Sequence, residues 1–394
     1  MSTFDVIPIA RFAGSSAAIK RPREIACFSY DSEHKFRLDD SSINYYYPPA
    51  LPADLNAGFE TFNNLREDQK GDEHIDSLLK TIMALEKKEG KKCEADFVTW
   101  RGMMTKIMAA PFDMFSEFEM YATCYQGTIF IEEDYQWHLD QRAKQLTQKS
   151  RRQHSASQEL MQYWGYKFET LALIPDIWDN VSREYIESRP SLPVSNKAQY
   201  CSVVRTAIGT SSMVIGGEVD ALWDSKPSKP SPDPTSTSTF SLQDDPSTDE
   251  PINWVELKTA IWPATTGEML TFERKLLKFW IQSFLLGVPR IIVGFRDRHG
   301  ILRSLEELQT HSLPGMVKRQ HASWDGNTCV NFAAGFLAYL KETVTTPEKY
   351  RIRRTKGSPT IEVVKLPSAL GDYSHILSAE FVQWREEGGN ETSG

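Results

Sequence analysis

The sequence predicts a mixed α/β fold, and three observations point to it. Short runs rich in β-branched and aromatic residues recur between turn residues, and longer stretches with helical spacing lie among them. The two kinds alternate without the regular βαβαβα rhythm of a doubly wound sheet. Of 394 residues, 40% are hydrophobic and 11% aromatic, so a sizeable strand-containing core is affordable.

In chain order, Phe4 to Ile9, Glu24 to Tyr30 and Asn44 to Tyr47 read as short strands or extended segments. Ile75, Leu78, Leu79, Ile82, Met83 and Leu85 repeat at helical spacing. Asp96 to Trp100 reads as a strand delivering Arg101 and Gly102 at its end, and Gly127 to Glu132 as another. From about Gln141 to Leu173 the pattern is helical, with Leu160, Met161, Trp164, Phe168 and Leu171 as its apolar face. A Pro-punctuated loop follows. Tyr200 to Ile208 and Ser212 to Leu222 then read as strands joined at Gly209-Thr210.

Ser225 to Pro251 is dominated by Pro, Ser, Thr and Asp, and reads as an exposed insertion between two strands placed side by side. Asn253 to Thr259 is the second of these. Glu268 to Leu286 is a strong helix closed by Gly287 and Pro289. Arg290 to Arg296 with Ile301 to Ser304, and Tyr350 to Arg354 with Thr360 to Lys365, read as hairpins around a helix from Asn327 to Val344. One domain over 1–394 is expected, with the insertion at 225–251 and a flexible tail from about 385.

The net charge of −8 argues against a protein that coats nucleic acid through a broad basic surface, but leaves room for acidic chemistry in a cleft. Five cysteines at wide spacings, none in a C-x-x-C pair, fit buried thiols better than a disulfide framework or zinc site. The N-terminus lacks a secretory layout and no apolar run is long enough to span a bilayer, so a soluble intracellular protein is expected.

Two acidic strand ends stand out. In Gly216-Gly217-Glu218-Val219-Asp220, Glu218 and Asp220 are two apart and project to one face. In Trp254-Val255-Glu256-Leu257-Lys258, Glu256 and Lys258 do the same. On neighbouring strands they would bring three carboxylates and an ammonium together. Like charges that close need a counter-charge, and Mg²⁺ or Mn²⁺ supplies it while sharing a phosphate oxygen. Two such ions would suit an in-line phosphate displacement. Asp, a long gap and Glu-x-Lys follow the logic of the PD-(D/E)xK nucleases. Each cluster alone also reads as a solvated strand edge.

Glu169, in Gly165-Tyr166-Lys167-Phe168-Glu169, reads as a fourth acid of the site or as an exposed helix acid. Lys275, Lys278 and Gln282 form one polar stripe. Gln282 needs a partner, either substrate or a core group. Arg101 suits a bidentate phosphate contact or a structural salt bridge. The basic runs Lys20 to Arg23 and Arg142 to Arg152 read as solvated faces or nucleic-acid contacts.

Taken in order, Arg21-Pro22-Arg23-Glu24, Tyr46-Tyr47-Pro48-Pro49, Trp100-Arg101-Gly102, the Glu169 segment, Gly217-Glu218-Val219-Asp220, Glu256-Leu257-Lys258 and Gln282 before Gly287-Val288-Pro289 resemble the DXO family of RNA 5′-end decapping nucleases, over about residues 20 to 365. The resemblance implies mixed β-sheets flanked by helices, with the site in a deep cleft. It implies metal ligands at Glu169, Glu218, Asp220 and Glu256, helped by the carbonyl of Leu257. Lys258 and Gln282 match positions near the scissile phosphate, and Arg101 one that contacts the RNA 5′ end. The candidate catalytic set is therefore Glu218, Asp220, Glu256, Lys258 and Gln282, with Arg101, Glu169, Lys258 and Gln282 on the substrate. The implied activity removes triphosphate, incomplete-cap or NAD-cap ends, in some members followed by 5′→3′ degradation. A nuclear location and an XRN-class 5′→3′ exoribonuclease partner are implied as well. A DNA-processing nuclease and a non-catalytic partner of an exoribonuclease are the rival readings.

Overall fold

The strands read from the sequence assemble into two sheets. The computed structural model describes residues 2–66, 71–149, 157–227, 251–367 and 376–391. The first part comprises β1 (Ser2–Asp5), β2 (Ile19–Tyr30), β3 (Phe36–Arg37), β4 (Tyr45–Tyr46), β5 (Ala53–Asp54) and helix α1 (Asp76–Glu89). Then come β6 (Phe97–Trp100), α2 (Arg101–Ala109), β7 (Phe118–Tyr125), β8 (Thr128–Glu133), α3 (Tyr135–Lys149), α4 (Gln158–Ala172), β9 (Leu173–Ile174) and α5 (Arg183–Ser188). The central strands are β10 (Gln199–Ile208), β11 (Ser211–Glu218), β12 (Ala221–Leu222) and β13 (Trp254–Ile261), followed by α6 (Thr266–Leu286). The chain closes with β14 (Arg290–Arg296), β15 (Ile301–Gln309), α7 (Leu313–Arg319), α8 (Gly326–Thr343), β16 (Tyr350–Arg354), β17 (Thr360–Lys365) and α9 (Ala379–Glu391).

Among the described residues, one sheet has the order β1-β17-β16-β7-β8-β6-β11-β10-β2-β3 and the other β5-β15-β14-β13-β12-β4-β9. Both are mixed. β11 runs parallel to β6 but antiparallel to β10, and β13 runs parallel to β14 but antiparallel to β12. The main apolar core draws on both sheets, from Met213 and Ile215 on β11 to Ile291 and Val293 on β14. It closes around α6 and α8 through Leu277, Ile281, Phe332 and Phe336, each pair four residues apart on its helix.

α6 crosses between the parallel strands β13 and β14, as such a connection requires. The Thr265 hydroxyl accepts the Glu268 N–H at its start, and Gly287, at φ +71°, ends it in the left-handed conformation. This helix sets the geometry of the site described below.

Several expectations are corrected. The helical stretch from Gln141 to Leu173 is two helices, α3 and α4, and the first begins at Tyr135. Ser157 caps α4 by accepting the Leu160 N–H. Helix α2 and strand β7 were not among the expected elements; α2 is buried on most sides, which erases amphipathic contrast. Of the flexible tail expected from about residue 385, residues 385–391 belong to α9, and 392–394 lie outside the described residues. The Arg385 guanidinium, 7% exposed, donates to both oxygens of buried Glu86 at 3.0 and 2.6 Å, pinning α9 to α1. The insertion at 225–251 lies outside the described residues from 228 to 250. All five cysteines are free thiols. Among the described residues, no helix is long and apolar enough to cross a membrane.

Candidate active site

β11 approaches the site through fully buried Met213, Val214 and Ile215 and then two glycines. A Cβ on Gly216 would lie 2.6 Å from the Trp100 ring, and one on Gly217 would lie 2.9 Å from Arg101 Cβ. The pair therefore admits the β6–α2 corner, where Trp100 registers with Gly216 and Arg101 opens the helix. This close approach sets Arg101 beside the end of β11.

Beyond Glu218 the chain leaves the first sheet. Val219 is buried, and Ala221 and Leu222 join the second sheet opposite Val255 and Trp254. The expected parity holds, with Glu218 and Asp220 flanking an inward valine. The backbone that carries it is a crossing between sheets and not one continuous strand. β12 makes the expected neighbour of β13.

On β13, Val255 and Leu257 pack with Phe168 of α4, while Trp254 and Ala260 enter the main core. Glu256 and Lys258 share this second face. Glu256 is fully buried, and its carboxylate lies between Lys258 Nζ at 2.5 Å and Arg101 Nη1 at 3.1 Å. Asp220 Oδ2 accepts the Leu257 N–H at 2.6 Å, which ties the two acidic segments together. Gln199 Nε2 approaches Glu218 Oε2 at 3.4 Å.

The electrostatics are those of a crowded acidic site. Burial, then the Glu256 charge, pushes the Asp220 carboxyl up to about 7 despite Lys258. Burial, then Asp220 and Glu218, pushes the Glu169 carboxyl well above the usual carboxylate range. Burial acts in the same direction on Glu256, but Arg101 and Lys258 outweigh it and hold that carboxyl low. Burial opposes the Lys258 charge, and Glu256 with Asp220 more than restores it. Glu169 on α4 thus joins the cluster and is not a solvated helix acid.

Four carboxyl groups face two cations here, and burial with crowded negative charge raises the Asp220 and Glu169 carboxyls because positive charge is short. Hard oxygen donors with that deficit fit a divalent cation. Among the described residues no three acids, histidines or cysteines are gathered into a ready cage, and Glu256 is engaged by Arg101 and Lys258.

Gln282 stands on α6 between Phe279 and Leu286, at the spacing that shares a helix face. The Phe279 ring centroid lies 6.0 Å from Lys258 Nζ, and Leu286 packs against Gly217. Gln282 is therefore presented to the cluster, half-buried and without a hydrogen-bond partner among the described residues, so it is not a satisfied core amide. The rest of the stripe separates from it: Lys278 pairs with Asp113 at 2.8 Å. Lys20, Arg21 and Arg23 are exposed on β2, and Arg151 and Arg152 lie outside the described residues.

A cavity of about 190 Å³ opens beside Glu218, lined among others by Tyr30, His74, Ser77, Trp100 and Gln199. Of these, sequence reasoning noted Trp100 only within a motif. Gln199 and Phe279 were missed. Phe279 was within reach, three residues before Gln282 on one helix face; Gln199 depends on strand register alone.

Two acidic segments on adjoining strands, closed by a Glu-x-Lys pair, define a nuclease of the PD-(D/E)XK class. More narrowly, the chain belongs to the family described as RAI1 like PD-(D/E)XK nuclease, which it matches over residues 20–382. It is 54% identical over 386 residues to the decapping nuclease RAI1 of Emericella nidulans, covering 97% of this chain and 98% of that one. Among solved structures, Candida albicans Rai1 in complex with pU5-Mn²⁺ superposes with a TM-score of 0.85 at 29% identity, covering 98% and 100% of the two chains. Schizosaccharomyces pombe Rai1 in complex with 3′-FADP gives 0.69 at 32%, covering 93% and 99%.

Proposed function

We infer that this chain is a divalent-metal-dependent decapping nuclease that hydrolyses the phosphate linkage behind a defective or non-standard RNA 5′ end: a triphosphate, an incomplete cap or an NAD cap. The observation that carries this reading is the convergence of Glu169, Glu218, Asp220, Glu256 and Lys258 in a chain so close to decapping nucleases. The C. albicans relative holds pU5 and Mn²⁺, and a Scheffersomyces stipitis relative holds (3′-NADP)⁺ and calcium ion, which supports RNA 5′-end chemistry and divalent metal.

Glu169, Glu218, Asp220, Glu256 and the Leu257 carbonyl would hold Mg²⁺ or Mn²⁺, with two ions proposed. A bound divalent cation would supply the positive charge that activates water and neutralises phosphate oxygens. Lys258, oriented by Glu256, offsets charge developing on the phosphate. Arg101 offers a guanidinium fork to the 5′-end phosphates, and Gln282 offers an amide with no partner among the described residues. The raised carboxyls of Asp220 and Glu169 are the groups that a bound cation's charge would bring to the carboxylate form.

Triphosphate-, cap- and NAD-ended RNAs incubated with Mn²⁺, Mg²⁺ or chelator test the reading. Release of the 5′ end with metal and none with chelator is expected; cleavage of DNA alone would overturn it. A nuclear location and an XRN-class exoribonuclease partner are proposed on family resemblance. Co-elution with such an enzyme on gel filtration tests the latter.

A further inference from the structure

A second feature lies at the far end of β13. The strand presents Glu256 and Lys258 on one face and ends at Ile261, and Trp262 follows with 58% of its surface exposed. A large apolar ring left in solvent is informative when charged partners surround it. Trp262 stands edge-on to Phe295, with ring centroids 4.8 Å apart, and the two form one wall of a groove of about 310 Å³. Arg296, Asp297, Arg303 and Ser304 complete the lining.

The groove is electropositive. Arg303 is paired with Asp297 at 2.9 Å, but among the described residues no carboxylate is paired with Arg296. Arg296 is 9% exposed; its guanidinium lies 4.1 Å over the Trp164 ring and donates to the Asp297 carbonyl, while its Nε has no partner among the described residues. Exposed Lys275 is near enough for its charge to interact with that of Arg296. A buried arginine with an unspent Nε–H beside an exposed indole suits an anionic ligand carrying flat rings.

We propose that this groove is a stacking platform for single-stranded RNA downstream of the cleaved linkage, with a base on Trp262 and phosphates toward Arg296 and Arg303. The proposal rests on the decapping reading above and adds to it a second contact zone. A strand rises about 3.3 Å per residue, so Trp262 lies about 13 Å along β13 from Lys258. RNA whose 5′ end is at Lys258 reaches the groove within a few nucleotides. Base–aromatic stacking and cationic backbone contacts are the sequence-independent means of holding such a strand.

The test compares kcat/KM for 5′-triphosphate release from a dinucleotide and from an unstructured oligonucleotide long enough to reach Trp262. In Trp262→Ala the ratio of long to short falls about tenfold, through KM, and Trp262→Phe keeps most of the ratio. In Arg303→Gln the salt dependence for the long RNA becomes shallower by about 0.7 in logarithmic slope. An unchanged ratio, or an equal fall on both RNAs, overturns the platform; so does an unchanged ratio accompanied by loss of a protein partner. A wild-type protein that releases no 5′ end from either RNA instead overturns the decapping reading. Fluorescence anisotropy with a labelled oligonucleotide then reads the groove independently, and equal affinities of wild type and Trp262→Ala overturn it.

Discussion

Arg101 Nη1 lies 3.1 Å from Glu256 Oε2, so the residue matched to RNA 5′-end binding is held in place by one matched to metal binding. Before substrate arrives, the guanidinium offsets a carboxylate that has no exposed surface. Arg101→Ala leaves Glu256 to Lys258 alone. The metal-free protein should lose about 1–3 kcal/mol, less than for a fully orphaned buried charge because Lys258 stays. Thermal unfolding checks this. KM for triphosphate-ended RNA should rise as well, and Arg101→Lys should restore stability better than affinity, since an ammonium lacks the fork.

Asp220 separates stability from function. Its carboxyl is pushed up to about 7 by burial and Glu256, whereas an unfolded Asp releases its proton near about 3.9. Between those values the folded chain holds a proton the unfolded chain has lost. Metal-free stability contributed by this group therefore falls as pH rises through about 4 to 7. Glu169 acts in the same direction. Asp220→Asn removes the penalty, so the variant should melt no lower than wild type at about pH 8 while releasing no RNA 5′ end. Retained release would place the chemistry elsewhere.

Metal affinity should show the same proton in reverse. A divalent cation needs the carboxylate form, so Mn²⁺ binding should weaken by at least about tenfold per pH unit as pH falls below about 7, and more steeply where Glu169 is protonated too. Titration calorimetry at several pH values measures it, and an affinity flat across that range would contradict the role given to Asp220.

Gly217→Ala tests the close approach that seats Arg101. The new Cβ meets Arg101 Cβ and Leu286 Cδ1, each at 2.9 Å, so the β6–α2 corner or α6 must move. A loss of about 1–3 kcal/mol is expected from overpacking. Activity should fall further than stability explains, because Arg101 and the Gln282 helix face shift together. Melting and kcat/KM on the same preparations decide it.

Arg385→Ala should show that the C-terminal helix is structural. Glu86 would remain buried with only the Cys93 N–H and the Trp384 indole as donors. A cost of about 3 kcal/mol is expected for the uncompensated charge, read as a lowered denaturant midpoint with the catalytic residues untouched.

Much was legible in the sequence because it is local. The fold class, most strands, the capped helix α6 and the side-chain parity of Glu218/Asp220 and Glu256/Lys258 follow from periods of 2 and 3.6 residues and from glycine and proline punctuation. The ordered motifs added Glu169, Arg101 and Gln282, which no single period could join. What lay outside that reach is non-local. That the chain changes sheets between Glu218 and Ala221, that α2 is a buried helix, and that α9 is pinned by Arg385 to Glu86 all depend on contacts between distant segments.

The sequence by itself determined which side chains could do the chemistry and on which faces of their elements they stand. Tertiary structure alone decided that Glu256 is fully buried between Arg101 and Lys258, that Asp220 accepts from the Leu257 backbone, and that Phe279, on the helix face of Gln282, lies beside Lys258. The reason is physical: a period fixes direction relative to the chain, whereas charge crowding and the pKa values it shifts arise only when separate strands share one low-dielectric space.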